Sequence, residues 1–248
     1  MKLAVDVGNT TVVIGTFIDN CIIDKMIFPT SKEVFNNIKI QLNTSEDFDE
    51  AIYSSVVPCV DQLALRFLTD ELHIDKIHVL NSDSKVNFTY RVKNKEEVGA
   101  DLIADLAGAS SLFDEPCLIA DLGTATKILL LDKNRIFSNC LITPGIDVSL
   151  AAITNKAALL PDVDLSNPAP ILECNNTVDA LIGGAIYGHV EMIKGIFAKY
   201  ENALGYKCNK IVTGGASTYV EKLFNGEYII EPNLVLIGLM EILKINKD

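Results

Sequence analysis

Asp6-Val7-Gly8-Asn9-Thr10 decides how this chain is read, because it has an echo in Asp121-Leu122-Gly123-Thr124-Ala125-Thr126. Each copy follows a short apolar run, 2–5 in the first case and 117–120 in the second, and each is followed by another, 11–18 and 127–131. Both therefore read as strand, tight turn, strand, with an aspartate closing the first strand and a glycine at the turn. Glycine admits positive φ and lets backbone approach a ligand closely. Backbone N–H groups and the side chains of Asn9, Thr10, Thr124 and Thr126 can donate to phosphate oxygens. The two aspartates can hold a hard cation beside those oxygens. One D-x-G-x-T is an ordinary hairpin signal; two copies in the same strand context indicate an internal repeat.

The chain has 248 residues, a length at which one core begins to split into two. Hydrophobic residues make up 49% and charged residues 22%, the balance of a packed globular protein. A net charge of −12 with no Lys/Arg cluster argues against nucleic acid as a partner. Residues 1–19 do not read as a secretory leader, and no apolar run is long enough for a membrane span. The six cysteines (Cys21, Cys59, Cys117, Cys140, Cys174, Cys208) contain no C-x-x-C pair and read as buried free thiols of a cytoplasmic protein. His73, His78 and His189 lack metal-ligand spacing.

Along the chain, strands are expected at 2–8, 10–19 and 20–29, with a turn at Asp19-Asn20. A helix at 31–42 with Ser31 as N-cap, a polar loop at 43–50, a strand at 51–57, a helix from Pro58 to about 72 and a strand at 76–80 follow. An Ala-rich helix at 102–111 comes after Gly99-Ala100-Asp101. The second half repeats the order. It has strands at 117–122, 126–133 and 135–143 and helices at 147–159 and 178–204, the latter capped by Thr177. A strand at 210–213, a Gly214-Gly215 turn, a helix at 217–225, a strand at 228–230 and a helix at 232–245 complete it. Alternating strands and helices predict mixed sheets flanked by helices, two similar halves facing across a cleft.

This arrangement resembles the actin, hexokinase and Hsp70 ATPase superfamily. The resemblance implies an α/β fold of two duplicated actin-like (ribonuclease H-like) domains with an ATP cleft between them, here 1–113 and 114–248. Val212-Thr213-Gly214-Gly215-Ala216-Ser217 looks like that superfamily's adenosine turn. Asp101 then has two readings, a helix cap or a general base for a kinase, with Asp105 one turn further on as its competitor.

The details resemble the type III pantothenate kinase family. The family pattern is met by Asp6-Val7-Gly8-Asn9-Thr10, Gly99-Ala100-Asp101, Asp121-Leu122-Gly123-Thr124-Ala125-Thr126, Pro144-Gly145 and Ala158-Leu159-Leu160-Pro161. Thr177-Val178-Asp179-Ala180 with Gly184 and Gly188, and Thr213-Gly214-Gly215, continue it in order. The resemblance implies ATP-dependent phosphorylation of pantothenate at its 4′-hydroxyl, the first step toward coenzyme A. It implies that Asp6, Val7, Gly8, Asn9, Thr10, Thr11, Val12 and Val13 contact ATP phosphates, with Asp6 near Mg²⁺. Gly123, Thr124, Gly214 and Gly215 would also contact ATP. Asp101 would accept the proton, within a substrate segment of Gly99, Ala100, Asp101 and Leu102, and Thr177 would contact pantothenate. Asp121 would bind a monovalent cation, potassium or ammonium, and the protein would be a homodimer. The departures lie on the acceptor side. Leu102 stands for the arginine of G-x-D-R, and Val92 for a tyrosine, with Tyr90 two positions away. Lys95 stands for a proline, Lys127 for a second threonine, and Asn139 and Cys140 for paired glycines. A non-catalytic nucleotide-binding paralogue, or a kinase for another small acceptor, stay open beside the first reading.

Overall fold

The computed structural model describes residues 1–42, 47–155, 165 and 168–247. Cα packing divides the chain into two units, Met1–Leu112 with Leu234–Asp248, and Phe113–Asn233.

The first unit is built on a run too apolar to face water. Leu3, Ala4, Val5 and Val7 of strand β1 (Lys2–Val7) are all fully buried, so β1 is covered on both faces and must lie inside a sheet. The sheet order is β3-β2-β1-β4-β5, with β2 (Thr11–Ile18), β3 (Cys21–Pro29), β4 (Glu50–Ser55) and β5 (Ile77–Val79). β1, β2 and β3 form the expected antiparallel meander, and β4 and β5 run parallel to β1. Asp19 and Asn20 join β2 to β3 with φ values of 49° and 65°, the two left-handed residues that a two-residue hairpin requires. Helices α1 (Val34–Gln41) and α2 (Pro58–Arg66) cover one face through Val34, Phe35, Ile38, Val60 and Ala64. The chain continues from α2 through a π-helical turn at Phe67–Glu71 and, later, a two-residue strand β6 (Thr89–Tyr90) that was not expected. Ser31 is not the N-cap of α1. Glu33 holds that place, and the Ser31 hydroxyl accepts from the Glu33 N–H just before it, at 3.2 Å.

The other face is covered by α3 (Ala100–Leu112) and α7 (Leu234–Ile245). The boundary expected at 113/114 left the C-terminal helix in the second domain, whereas α7 returns to the first. Two glycines let it do so. A Cβ on Gly238 would stand 1.8 Å from the Ala104 carbonyl oxygen, and one on Gly108 would stand 2.5 Å from that of Leu234. The two helix backbones are therefore in contact where any larger residue would hold them apart.

The second unit repeats the frame. β7 (Cys117–Leu122) is buried at every residue and stands in the order β9-β8-β7-β10-β11, with β8 (Ala125–Leu131), β9 (Ile136–Pro144), β10 (Asn209–Thr213) and β11 (Tyr228–Ile230). Again three antiparallel strands are followed by two parallel ones. Helix α4 (Ile146–Thr154) and the long α5 (Thr177–Leu204) cover it, α5 through Ile182, Ile186, Val190, Ile193 and Phe197 at helical spacing. α5 ends on Gly205 in the left-handed conformation, φ 73°. α6 (Ser217–Val220) is a single turn. The 156–159 part of the expected fourth helix, the 43–46 part of the acidic loop and the Ala158-Leu159-Leu160-Pro161 run lie outside the described residues. All six cysteines are free thiols, but only Cys117 is buried and Cys21 and Cys59 are exposed, contrary to the expectation of buried thiols throughout.

Candidate active site

In the first unit, the Asp6 turn is a hairpin held from two sides. The Gly8 N–H donates to the Thr11 carbonyl at 2.9 Å. Just after β3, the Thr30 N–H donates to the Thr10 carbonyl at 2.9 Å and the Thr30 hydroxyl to that of Gly8 at 2.7 Å. Asn9, Thr10 and Thr11 are left exposed at the tip, while Val7 and Val12 are core side chains and Val13 is half-buried. Of the expected phosphate contacts, Val7 and Val12 thus have only backbone to offer. Gly8 does not have a positive φ. Asp6, nearly buried at the end of β1, accepts a hydrogen bond from Ser54 at 2.8 Å, its register partner on β4.

The Val56 N–H donates to the Val7 carbonyl at 3.0 Å, and a Cβ on Gly99 would lie 3.8 Å from Val56 Cγ1. Gly99, two residues before Asp101, thus approaches the ends of β1 and β4. Asp101 is the second residue of α3, half-exposed, and accepts from the Leu102 N–H at 2.9 Å. Its competitor Asp105 is 3% exposed and faces the interior, which leaves Asp101 as the carboxylate that solvent and ligands reach. Leu102, 8% exposed, is a core residue. Near the missing family tyrosine, the Tyr90 hydroxyl is buried and has no hydrogen-bond partner among the described residues. Burial pushes its phenol up to about 12.

In the second unit, three motifs far apart in sequence converge. The Gly145 N–H donates to the Thr124 carbonyl at 3.0 Å and the Ala216 N–H to that of Leu122 at 3.0 Å. A Cβ on Gly145 would stand 2.1 Å from the Gly123 oxygen. Gly214 has φ 87°, and a Cβ there would meet Asp121 Oδ1 at 2.5 Å. The Pro144-Gly145 and Thr213-Gly214-Gly215 segments are glycine-bearing because they wall the Asp121 turn at backbone distance. Gly215 and Thr124 are exposed.

Asp121 is not alone. Lys127 Nζ lies 2.6 Å from Asp121 Oδ2, with side chains 19% and 12% exposed. The two are direct cross-strand partners. Hairpin arithmetic contained this pair, since 121 and 127 are equidistant from a turn centred on 124. Lys95 is paired with Asp83 at 2.6 Å on an exposed surface. Neither lysine therefore restores the cation missing at Leu102 by standing free.

A recess of about 300 Å³ between α4 and α5 is floored by Ala180, Gly184 and Gly188 and includes His189. Nothing lies within 4 Å of a Cβ placed on Gly184 or Gly188, so these small residues open the recess rather than seat a neighbour. Thr177 is the exposed first residue of α5, not its cap. The Asn176 side chain caps the helix, accepting from the Asp179 N–H at 3.0 Å. His189 was missed by sequence reasoning. It is 7% exposed, shares a hydrogen bond of 2.7 Å with the Thr126 hydroxyl, and burial lowers its pKa. Among the described residues, no group of three or more His, Cys, Asp or Glu side chains is placed to hold a metal by itself.

A duplicated frame of three antiparallel and two parallel strands, with an aspartate-glycine turn at the head of each central pair, is an actin-like fold. The comparisons with known proteins agree. A structure described as a conserved putative Baf family transcriptional activator from Campylobacter jejuni covers 98% of each chain with TM-score 0.56 and 19% identity. A putative N-acetylmannosamine kinase from Listeria monocytogenes covers 99% of each with TM-score 0.54 and 14% identity. At those identities the likeness is one of fold. A family model described as type III pantothenate kinase matches residues 2–199. The type III pantothenate kinase of Acholeplasma laidlawii is 34% identical over 251 residues, 99% of each chain. The chain belongs to the type III pantothenate kinase family. Among the described residues, no helix is long and apolar enough to cross a membrane.

Proposed function

We propose that this chain transfers the γ-phosphoryl group of ATP to the 4′-hydroxyl of pantothenate, the first step toward coenzyme A. The observation that carries the reading is the placement of Asp101. It is half-exposed at the start of α3, two residues after Gly99, which approaches Val56 near the end of β1, while Asp105 is withdrawn into the interior. Asp101 accepts the hydroxyl proton as the hydroxyl oxygen bonds to the γ-phosphorus. The bridging oxygen then leaves with ADP. In the first unit, the exposed tip Asn9 to Thr11 offers donors to a phosphate chain; in the second unit, Thr124 is exposed on its own turn. Gly214 and Gly215 stand beside the second turn and suit contact with the rest of the nucleotide.

The residues fit Mg²⁺ at Asp6. One carboxylate at a strand end, with water and substrate phosphates as the remaining ligands, is the usual donor set of this ion, and Ser54 fixes the carboxylate's orientation. When bound there with ATP, Mg²⁺ neutralises phosphate charge. The potassium or ammonium ion implied at Asp121 does not fit in the same way, because an ammonium, that of Lys127, is already seated against the carboxylate. Gly99, Ala100 and Leu102 shape the acceptor segment. The buried unpaired hydroxyl of Tyr90 and the exposed Thr177 are polar groups available to pantothenate. A homodimer accords with the exposed apolar side chains Ile171, Leu172 and Val178 at the head of α5.

The test is release of ADP with ATP and Mg²⁺, with and without pantothenate. Pantothenate-dependent release that falls about a hundredfold or more in Asp101→Asn is expected. Nucleotide binding without pantothenate-dependent release would overturn the reading in favour of another acceptor or a non-catalytic role.

A further inference from the structure

We infer that the Lys127 ammonium stands permanently where a dissociable monovalent cation would sit beside Asp121, so that nucleotide binding and phosphoryl transfer by this chain need no added potassium or ammonium. The inference rests on the kinase reading above. Four observations carry it. Lys127 and Asp121 are direct partners across the second turn, 2.6 Å apart, both mostly buried. A lysine head is an ammonium ion on a four-carbon stem, with the charge and hydrogen-bond donors of free ammonium. The other carboxylate oxygen, Oδ1, is walled by Gly214, where a Cβ would be 2.5 Å away. A second cation held by Asp121 would have to share one carboxylate with the Lys127 charge, and like charges so close repel. Finally, the fold does not demand a lysine here. In the first unit, the residue across from the equivalent Asp6 is Val13.

The tethered cation has a different salt response from a dissociable one. A dissociable ion stabilises more as its concentration rises above its dissociation constant, whereas Lys127 is present at any salt. The experiment measures the affinity of Mg²⁺-ADP by calorimetry in tetramethylammonium, sodium, potassium and ammonium chlorides at equal ionic strength, with pantothenate-dependent turnover alongside. The proteins are the wild type, Lys127→Thr and Lys127→Met. For the wild type, affinity and turnover are expected to agree within about twofold across the four salts. Lys127→Thr is expected to bind about tenfold more weakly in tetramethylammonium and to recover in potassium or ammonium, a coupling of ordinary size for a linked site. Lys127→Met, which fills the space without charge, is expected to stay weak in every salt. A wild-type affinity that rises about tenfold with potassium overturns the inference, whatever the variants do. So does a folded Lys127→Thr with no salt response. Salt-independent nucleotide binding without pantothenate turnover would instead sink the acceptor assignment and leave the tethered cation standing. Absence of nucleotide binding in every salt would overturn both.

Discussion

The two aspartate turns occupy the same place in duplicated sheets and carry different charge. β1 and β7 each stand between an antiparallel and a parallel neighbour, and Asp6 and Asp121 are equally buried near their ends. On the parallel side, both stand opposite a small hydroxyl residue, Ser54 and Thr213. On the antiparallel side, Asp6 meets Val13 and Asp121 meets Lys127. The first aspartate has an apolar residue across the hairpin. The second is neutralised from within the chain. The surroundings differ as well. Gly8 has only the Thr11 oxygen near its missing Cβ, at 3.2 Å, whereas the second turn is fenced by Gly145 and Gly214. Duplication preserved the backbone frame and let the two copies diverge in what they hold.

The sharpest way to break this comparison is at the fence. Gly145→Ala places a methyl group 2.1 Å from the Gly123 oxygen and 2.8 Å from that of Thr124. Backbone cannot yield as a flexible side chain can, so a loss of about 3 kcal/mol is expected in denaturant unfolding. Gly8→Ala asks its neighbour to give only a few tenths of an ångström, and a loss under about 1 kcal/mol is expected. Equal losses would show that the two turns are packed alike.

Charge gives the next effect. Asp121→Asn leaves the Lys127 ammonium mostly buried without its partner. A fully buried pair broken on one side costs several kcal/mol. With 12% and 19% of these side chains exposed, about 1–2 kcal/mol is expected. Asp6→Asn retains an acceptor for Ser54, so its unfolding free energy is expected to change by less than about 1 kcal/mol while turnover falls. A larger stability loss at Asp6 than at Asp121 would mean that Lys127 does not neutralise the second turn.

The frame was legible because short apolar runs and turn chemistry are local. Asp19-Asn20 announced its hairpin, and the repeated aspartate turns announced the duplication. The destination of α7 was not legible. Its sequence is apolar nearly all round, so hydrophobic pattern gave it no address, and the decision lies in Gly108 and Gly238, 130 positions apart, meeting the opposite backbones. The cap of α5 was misplaced by one because Asn176 and Thr177 are both good cap residues, and only geometry chooses between them. Asp101 and Asp105 looked alike in sequence; α3 turns one outward and the other inward. Lys127 was legible in register, as the residue across from Asp121 in a turn centred on 124. The Thr126–His189 bond joins residues 63 apart and left no local sign.

Each unit also carries a histidine bonded to a hydroxyl, and these sharpen the comparison by titration. His78 lies 2.9 Å from the Ser84 hydroxyl and His189 2.7 Å from that of Thr126. Burial lowers both pKa values from 6.5. The unfolded chain then binds more protons than the folded one, so stability is whole above about pH 6.5 and declines as pH falls below it. Melting between about pH 7 and about pH 5 is expected to show this decline. His189→Gln, at the more buried of the two sites, is expected to flatten it more than His78→Gln. The reverse order would place the greater strain of charging in the first unit.

The smallest effect is expected at Lys95, and it bears on how the acceptor is held. Lys95 and Asp83 form an ion pair of 2.6 Å, as short as that of Lys127 and Asp121, but with side chains 47% and 84% exposed. Water and salt screen such a pair, and fixing two long side chains offsets what attraction remains. Lys95→Ala should therefore change unfolding free energy by less than about 0.5 kcal/mol. The same variant asks whether Lys95 stands in for the arginine that Leu102 replaces. With its ammonium directed to Asp83 and to the Ser82 carbonyl, an unchanged KM for pantothenate is expected. A rise of about tenfold in KM with kcat unchanged would mean that the acceptor carboxylate draws Lys95 away from Asp83, since that pattern marks the loss of binding shared by ground and transition states.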